Sequence, residues 1–238
     1  MVKQYNNFMY WMIDMLSKEE LIFIKKHLNF WDNLCETEKE LMANKITVLS
    51  YDKGYNLNNP DECLGLLLIK KGELRVYILS EEGREVTLYR LTQGETCVLS
   101  ASCLINNITF DVHIKAEADT KAFILDTATL SKLSEQNVYV ENFTYKKTIE
   151  RFSDVMWAVE QILFMTFDKR LAIFLLDEMA KNKSTEITLT QEQIAKYIGS
   201  AREVVSRMLK SFQSQGIVEL ERGKIQVKDP KKLKEIIG

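Results

Sequence analysis

At 238 residues, with 46% hydrophobic and 28% charged side chains, the chain has the composition of a globular protein of one or two ordinary domains. Its longest apolar runs, such as residues 64–69, are far too short to cross a bilayer and its start does not read as a signal peptide, so a cytoplasmic protein without membrane contact is expected. A formal net charge of −2 excludes a protein that coats nucleic acid nonspecifically, and Cys35, Cys63, Cys97 and Cys103 are too few for a disulfide scaffold, which makes free thiols the expectation.

From Ser17 to Leu34 the pattern is helical, opening with a capping box in which Glu20 faces Ser17. From about Ile46 to Leu125 the texture changes to short strands, at Leu66–Ile69, Leu74–Leu79, Val86–Leu91, Ile108–Lys115 and Lys121–Leu125. Gly54, Gly72, Gly83 and Gly94 punctuate this region, and regularly spaced glycine turns between alternating strands predict an antiparallel β-roll of the jelly-roll kind. A long helix without glycine or proline follows, from Leu133 to Thr166. Tyr145, Ile149, Phe152, Met156, Val159 and Leu163 recur along it at alternating separations of four and three, the seam of a short coiled coil. Val155, Ala158 and Ile162 form a second apolar surface, so one stripe can face the chain's own core and the other a second copy.

The segment from Glu186 to Lys228 carries the most specific signal, the layout of a winged helix-turn-helix. Its first helix is capped by Thr190 with Gln193 reaching back, and buries Ile194, Ala195 and Ile198; Gly199 supplies the turn. The second helix opens at Ser200 with a buried stripe of Val205, Met208, Leu209 and Phe212. That leaves Arg202, Glu203, Ser206, Arg207 and Lys210 outward, types that meet phosphates and base edges: arginine pairs with guanine, and glutamate accepts from the cytosine amino group. Glu203 has a second reading, as the third helical position closing a capping box on Ser200. Beyond Gly216, two short strands flank a turn at Arg222-Gly223-Lys224, a wing whose two cations would lie near the phosphate backbone. Residues 191–238 hold ten Lys and Arg against six Asp and Glu, net +4, whereas the other 190 residues are net −6. A positive field confined to one end is the pattern of a targeted reader. A helical protein-interaction module would show the same amphipathic pattern with its charges simply solvated.

In the order roll, long helix, winged helix-turn-helix, the chain resembles the Crp/Fnr family of bacterial transcription regulators along nearly its whole length. The resemblance is carried by Tyr51-Asp52-Lys53-Gly54, the run from Leu68 to Leu74, Glu82-Gly83-Arg84-Glu85 with Leu88, the run from Leu91 to Glu95, and Glu203-Val204-Val205-Ser206-Arg207, which looks like the family's Glu-x-x-Ser-Arg signature. It implies a cyclic-nucleotide-binding-like roll that senses an effector, a dimerising helix and a reader of palindromic promoter sites, with RNA polymerase a candidate further partner. Because Glu203, Ser206 and Arg207 match the oxygen-regulator branch, it also implies an inverted repeat of a TTGAT-like half-site.

The departures concern the effector. Cyclic-AMP-binding members carry an Arg-Ser or Arg-Thr pair for the cyclic phosphate, where this chain places Phe110-Asp111; burying a phosphate there without a cation is costly and the carboxylate adds repulsion. Gly94-Glu95 remains, either as a ligand-contacting element or as a plain turn closing a strand. Residues 1–34 hold no cysteine and His27 and His113 are the only histidines, so neither an iron-sulfur cluster of the family's kind nor a haem is expected, nor any other metal site. Cys97 and Cys103, with five residues between them behind Gly94-Glu95, read as a redox or ligand-contacting pair or as small buried hydrophobes.

The expectation is therefore an α+β chain in three parts: an effector-sensing roll with its N-terminal helix over 1–132, a dimerisation helix over 133–166 and a winged helix-turn-helix over 167–238. It would be a non-enzymatic, homodimeric reader of double-stranded DNA whose effector pocket is built around Gly94, Glu95, Cys97, Cys103, Phe110 and Asp111. The rivals are a regulator that has lost its ligand, a binding module for protein contacts, and a cupin-like enzyme, the last opposed by the single histidine in the roll.

Overall fold

Ser17 starts the first helix of this computed structural model, which describes residues 16–57, 65–98 and 112–238. Its hydroxyl accepts from the Glu20 amide while the Glu20 carboxylate takes the Ser17 amide, and the capped helix α1 runs Lys18–His27. It does not reach Leu34. Leu28, Phe30, Trp31 and Leu34 are all buried, a set too broad for one helical face, and the chain turns through a 3-10 turn at Trp31–Asn33 to bring them inward. A second helix, α2 (Glu36–Lys45), follows with only Met42 buried, so its sequence carries no amphipathic period to announce it.

The strands are β1 (Ile46–Tyr51), β2 (Leu66–Lys71), β3 (Leu74–Leu79), β4 (Glu85–Leu91), β5 (Thr96–Cys97), β6 (His113–Ala116) and β7 (Thr120–Leu125). They form an antiparallel sheet in the order β1-β7-β2-β5 and a second sheet in the order β4-β3-β6, the roll expected from the glycine-punctuated strands. Of the expected strand at 108–115, the part before Val112 lies outside the described residues. Gly72 makes the β2–β3 turn with φ +99°, where a Cβ would stand 2.6 Å from the backbone of Asp119 and Thr120. β2 is buried on both faces because Leu66 and Leu68 join the cluster that α1 and α2 cover, while Leu67 and Ile69 point the other way.

Two helices replace the single one expected from Leu133. The first, α3 (Thr127–Gln136), is capped by Asp126, and α4 spans Val138–Phe164. Asn137 makes the break: its amide ends α3 on the Leu133 carbonyl, its carbonyl begins α4, and its side chain accepts from the Tyr139 amide while donating to Glu38 and the Asn33 carbonyl. Helix α5 (Phe167–Asn182) leads into β8 (Glu186–Ile187), α6 (Gln191–Ile198), α7 (Arg202–Ser214), β9 (Val218–Glu221), β10 (Lys224–Val227) and α8 (Pro230–Ile237). The strands pair antiparallel in the order β8-β10-β9, and Leu171, Leu175, Ile187, Ile194, Val205, Leu209, Phe212 and Ile225 share one core.

By contacts the chain divides into two compact units, one from Met1–Arg75 and Arg90–Arg151, the other from Val76–Tyr89 and Phe152–Gly238. In the first, Arg75 is only 1% exposed and is balanced by Glu117 at 2.8 Å, with Glu73 and Arg90 paired at 3.4 Å. A buried guanidinium without such a partner would be strongly destabilising.

Candidate nucleic-acid interface

The reading helix is placed by its short partner. In α6, the Thr190 hydroxyl accepts from the Gln193 amide and the Gln193 side chain from the Thr190 amide, the capping box expected from the sequence. Gly199 ends the helix at φ +61°, and its amide and that of Ser200 both bond the Ala195 carbonyl, a C-terminal cap that needs a left-handed residue. That commits Ser200 to α6, so α7 begins at Arg202 with Ala201 as its N-cap, two residues later than a start at Ser200. The capping-box reading of Glu203 fails for the same reason: Ala201 has no side chain to cap with, and Glu203 becomes the second helical residue, exposed.

Val205, Leu209 and Phe212 are buried under α7 and Met208 is half-buried, which fixes the helix by its apolar stripe. On the opposite side Arg202, Glu203, Arg207 and Lys210 are exposed and Ser206 is half-exposed, along the first three turns. Val204 is half-buried beside them. The wing is the β9–β10 hairpin, Lys224 pairing with Glu221 across it, with Arg222 and Gly223 at the tip. Arg222 and Lys224 are both exposed, but the Lys224 ammonium lies 3.0 Å from Glu186 on β8, whose hydrogen bond holds the ammonium above its ordinary pKa. The β8 strand, missed in the sequence because it is two residues long, is therefore what occupies one of the two wing cations.

Further cations were not singled out in the sequence. Lys196 on α6 and Lys231, Lys232 and Lys234 on α8 add to the positive charge of this unit. Lys232 donates to the Gln215 carbonyl at the end of α7. A third group comes from far away in the chain: the β3–β4 hairpin, whose residues Val76–Tyr89 belong to the same compact unit. Arg84 donates to the Gly199 carbonyl, the Thr87 hydroxyl donates to the Lys196 carbonyl at 3.2 Å, and Glu85 sits 3.2 Å from the Lys196 ammonium. Arg170 of α5 donates to the Ile198 carbonyl at 3.1 Å, so the end of α6 is held by two guanidiniums and a hydroxyl. Burial, and then the nearby Arg84, push the Arg170 guanidinium below its usual range.

The expected dimer seam lies along α4. Tyr145, Ile149, Phe152, Met156, Val159 and Leu163 are all exposed in the single chain, Phe152 at 64% and Leu163 at 65%. Of the second stripe, Ala158 is buried and Val155 half-buried, while Ile162 stays exposed. Trp157 and Phe164 widen the exposed apolar face along the last turns.

The expected effector residues divide. Cys103, Phe110 and Asp111 lie outside the described residues. Cys97 is fully buried at the end of β5, the position of a small hydrophobe. The Glu95 carboxylate accepts from both the amide and the hydroxyl of Thr92 at 2.7 and 2.9 Å, and the Gly94 amide donates to the Ile69 carbonyl at 2.8 Å. That engages Gly94-Glu95 as a turn closing the strand.

Residues 169–236 match the model of the Crp-like helix-turn-helix domain. Among solved structures, a transcriptional regulator assigned to the Crp/Fnr family from Eubacterium rectale is 42% identical, with a TM-score of 0.85 over 89% of this chain and 99% of that one. Among curated proteins, the cAMP-activated global transcriptional regulator Vfr of Pseudomonas aeruginosa is 25% identical over 177 residues, 70% of this chain and 81% of its own length. The anaerobic regulatory protein of Haemophilus influenzae is 24% identical over 230 residues, 90% of this chain and 81% of its own.

Proposed function

The chain belongs to the Crp/Fnr family of DNA-binding transcription regulators, and from that premise we propose that it reads an inverted-repeat promoter site as a homodimer, under an effector other than cyclic AMP. The observation that carries this reading is the split character of α7: an apolar stripe sunk into the core of its unit, and Arg202, Glu203, Ser206, Arg207 and Lys210 along the outer side. With its N-terminal end in the major groove, Arg207 reads guanine, Glu203 accepts from a cytosine amino group and Val204 meets a thymine methyl, while Lys210 and Arg222 take phosphates. The exposed seam on α4 supplies the twofold axis, and two reading helices so related meet two half-sites about one duplex turn apart. Effector binding favours one packing of the two α4 helices, which sets the spacing of the reading helices.

Enrichment from a random duplex pool is the test of sequence reading. A TTGAT-like half-site in inverted repeat is the expected consensus, and an unrelated or non-palindromic one overturns the assignment of Glu203, Ser206 and Arg207.

The relative Vfr is cAMP-activated by its name. Against the same effector here stands Phe110-Asp111, where the cyclic phosphate would want a cation and a hydroxyl, and one oxygen of the Glu95 carboxylate already accepts twice from Thr92. An anion buried without compensation loses several kcal/mol, which leaves at best about millimolar affinity. Isothermal titration with cyclic AMP is expected to show no saturable heat in the micromolar range; a micromolar dissociation constant places the phosphate elsewhere in the roll.

A further inference from the structure

We propose that the β3–β4 hairpin is an autoinhibitory latch: docked on the turn between α6 and α7, it keeps the reading unit in a DNA-excluding state and lets go when the operator is bound. This rests on the DNA-reading function proposed above and adds its control.

The docking is made on the backbone of the turn itself. Arg84 and Thr87 take the carbonyls of Gly199 and Lys196, and a Cβ built on Gly199 would stand 3.2 Å from Val86, so the hairpin lies directly against the residues that set the angle between α6 and α7. Gly199 is two residues before Ala201, the N-cap of the reading helix. The hairpin is thus held at the end of α7 that a groove-reading helix inserts into DNA.

Charge gives the sign of the effect. The tip of the hairpin is Ser80-Glu81-Glu82-Gly83, with both glutamates exposed, and Glu82 is only two residues from the docked Arg84. Two carboxylates held there repel an approaching phosphate backbone over a screening length of about 8 Å at physiological salt. Glu85 meanwhile occupies Lys196, a cation of the helix-turn-helix that would otherwise be available to a phosphate.

The same contacts are easily undone. Helix-end carbonyls released by Arg84 and Thr87 turn to water without unwinding α6. Arg84 and Arg170 are like charges brought to neighbouring carbonyls of one turn, and their repulsion works against docking. A docked state opposed in this way is a two-state element that effector or DNA can bias with modest free energy.

The test uses the full-length chain, without effector, and the duplex that the wild-type chain itself enriches from a random pool, titrated by fluorescence anisotropy at fixed salt. Arg84→Ala and the nearly isosteric Thr87→Val each break one hydrogen bond of the latch, while Glu81→Gln with Glu82→Gln neutralises the tip and breaks none of the docking bonds. All three are expected to bind more tightly than wild type, Arg84→Ala on the order of tenfold, the scale of one charge-assisted hydrogen bond. The gain from the tip variant should shrink as salt rises. Affinities equal to or below wild type, in variants with unchanged circular dichroism and melting, overturn the latch alone. A pool that yields no enriched duplex overturns the DNA-reading function and the latch with it.

Discussion

Replacing Phe152 and Met156 together with aspartate is expected to turn dimers into monomers and to remove most of the operator affinity. Both side chains are exposed in the single chain and lie on the α4 seam one helical turn apart, so neither supports the chain's own core. The substituted chain should therefore melt close to wild type, as exposed substitutions usually do. In the proposed dimer the same positions would face each other across an apolar seam, where each aspartate would have to give up its hydration without a cation to replace it. DNA affinity falls as a consequence, because a linked pair of reading helices gains about 10²–10⁴ over a single one from effective concentration alone. Sedimentation velocity of the double variant, beside the wild type at equal concentration, reads the first effect and anisotropy titration the second. An intact dimer in the double variant would move the interface off this seam.

The second large effect is expected of Arg207→Ala, which should leave the dimer folded and abolish specific binding. Arg207 is exposed on the outer side of α7, opposite Val205, Leu209 and Phe212, so nothing in the core depends on it. A bidentate arginine–guanine pair is worth about 1–3 kcal/mol, and two half-sites double it to about 2–6 kcal/mol, a loss of roughly thirtyfold to twenty-thousandfold. Lys210→Ala is the useful contrast, since loss of a phosphate contact weakens binding to all sequences alike and reduces the salt dependence. If Arg207→Ala holds the enriched duplex as tightly as wild type, base reading belongs to another residue.

The reading helix and the hairpin contacts differ in how far the local sequence specifies them. Thr190, Gln193 and Gly199 specify α6 and its end through hydrogen bonds spanning three to five residues, and the stripe of Val205, Leu209 and Phe212 orients α7 by periodicity alone. These are local rules, and they gave the helix-turn-helix, its wing and the outward set Arg202, Glu203, Ser206, Arg207 and Lys210. The start of α7 escaped them by two residues because the second amide of the α6 cap fell on Ser200, so the turn geometry overrides the better capping residue and leaves Ala201 at the N-cap.

The other differences between the sequence expectation and the structure have a common origin in burial at long range. The helix expected from Ser17 to Leu34 stops at His27 because Phe30, Trp31 and Leu34 find their partners in strands and helices far along the chain. The helix expected from Leu133 breaks at Asn137 because that side chain meets Glu38, 99 residues away. The family resemblance, the positive C-terminal segment and the apolar spacing along α4 were determined by the order of residues alone, since each depends on motifs, composition or spacing along the chain and on no contact across it. Which wing cation is already engaged by Glu186, that Glu95 closes its own turn, and that Arg84, Glu85 and Thr87 grip the turn before the reading helix were decided by the tertiary structure. The hairpin contacts join residues more than 100 apart, and no periodicity or capping signal extends that far: only the packing of apolar cores brings such hydrogen-bonding groups within reach of each other.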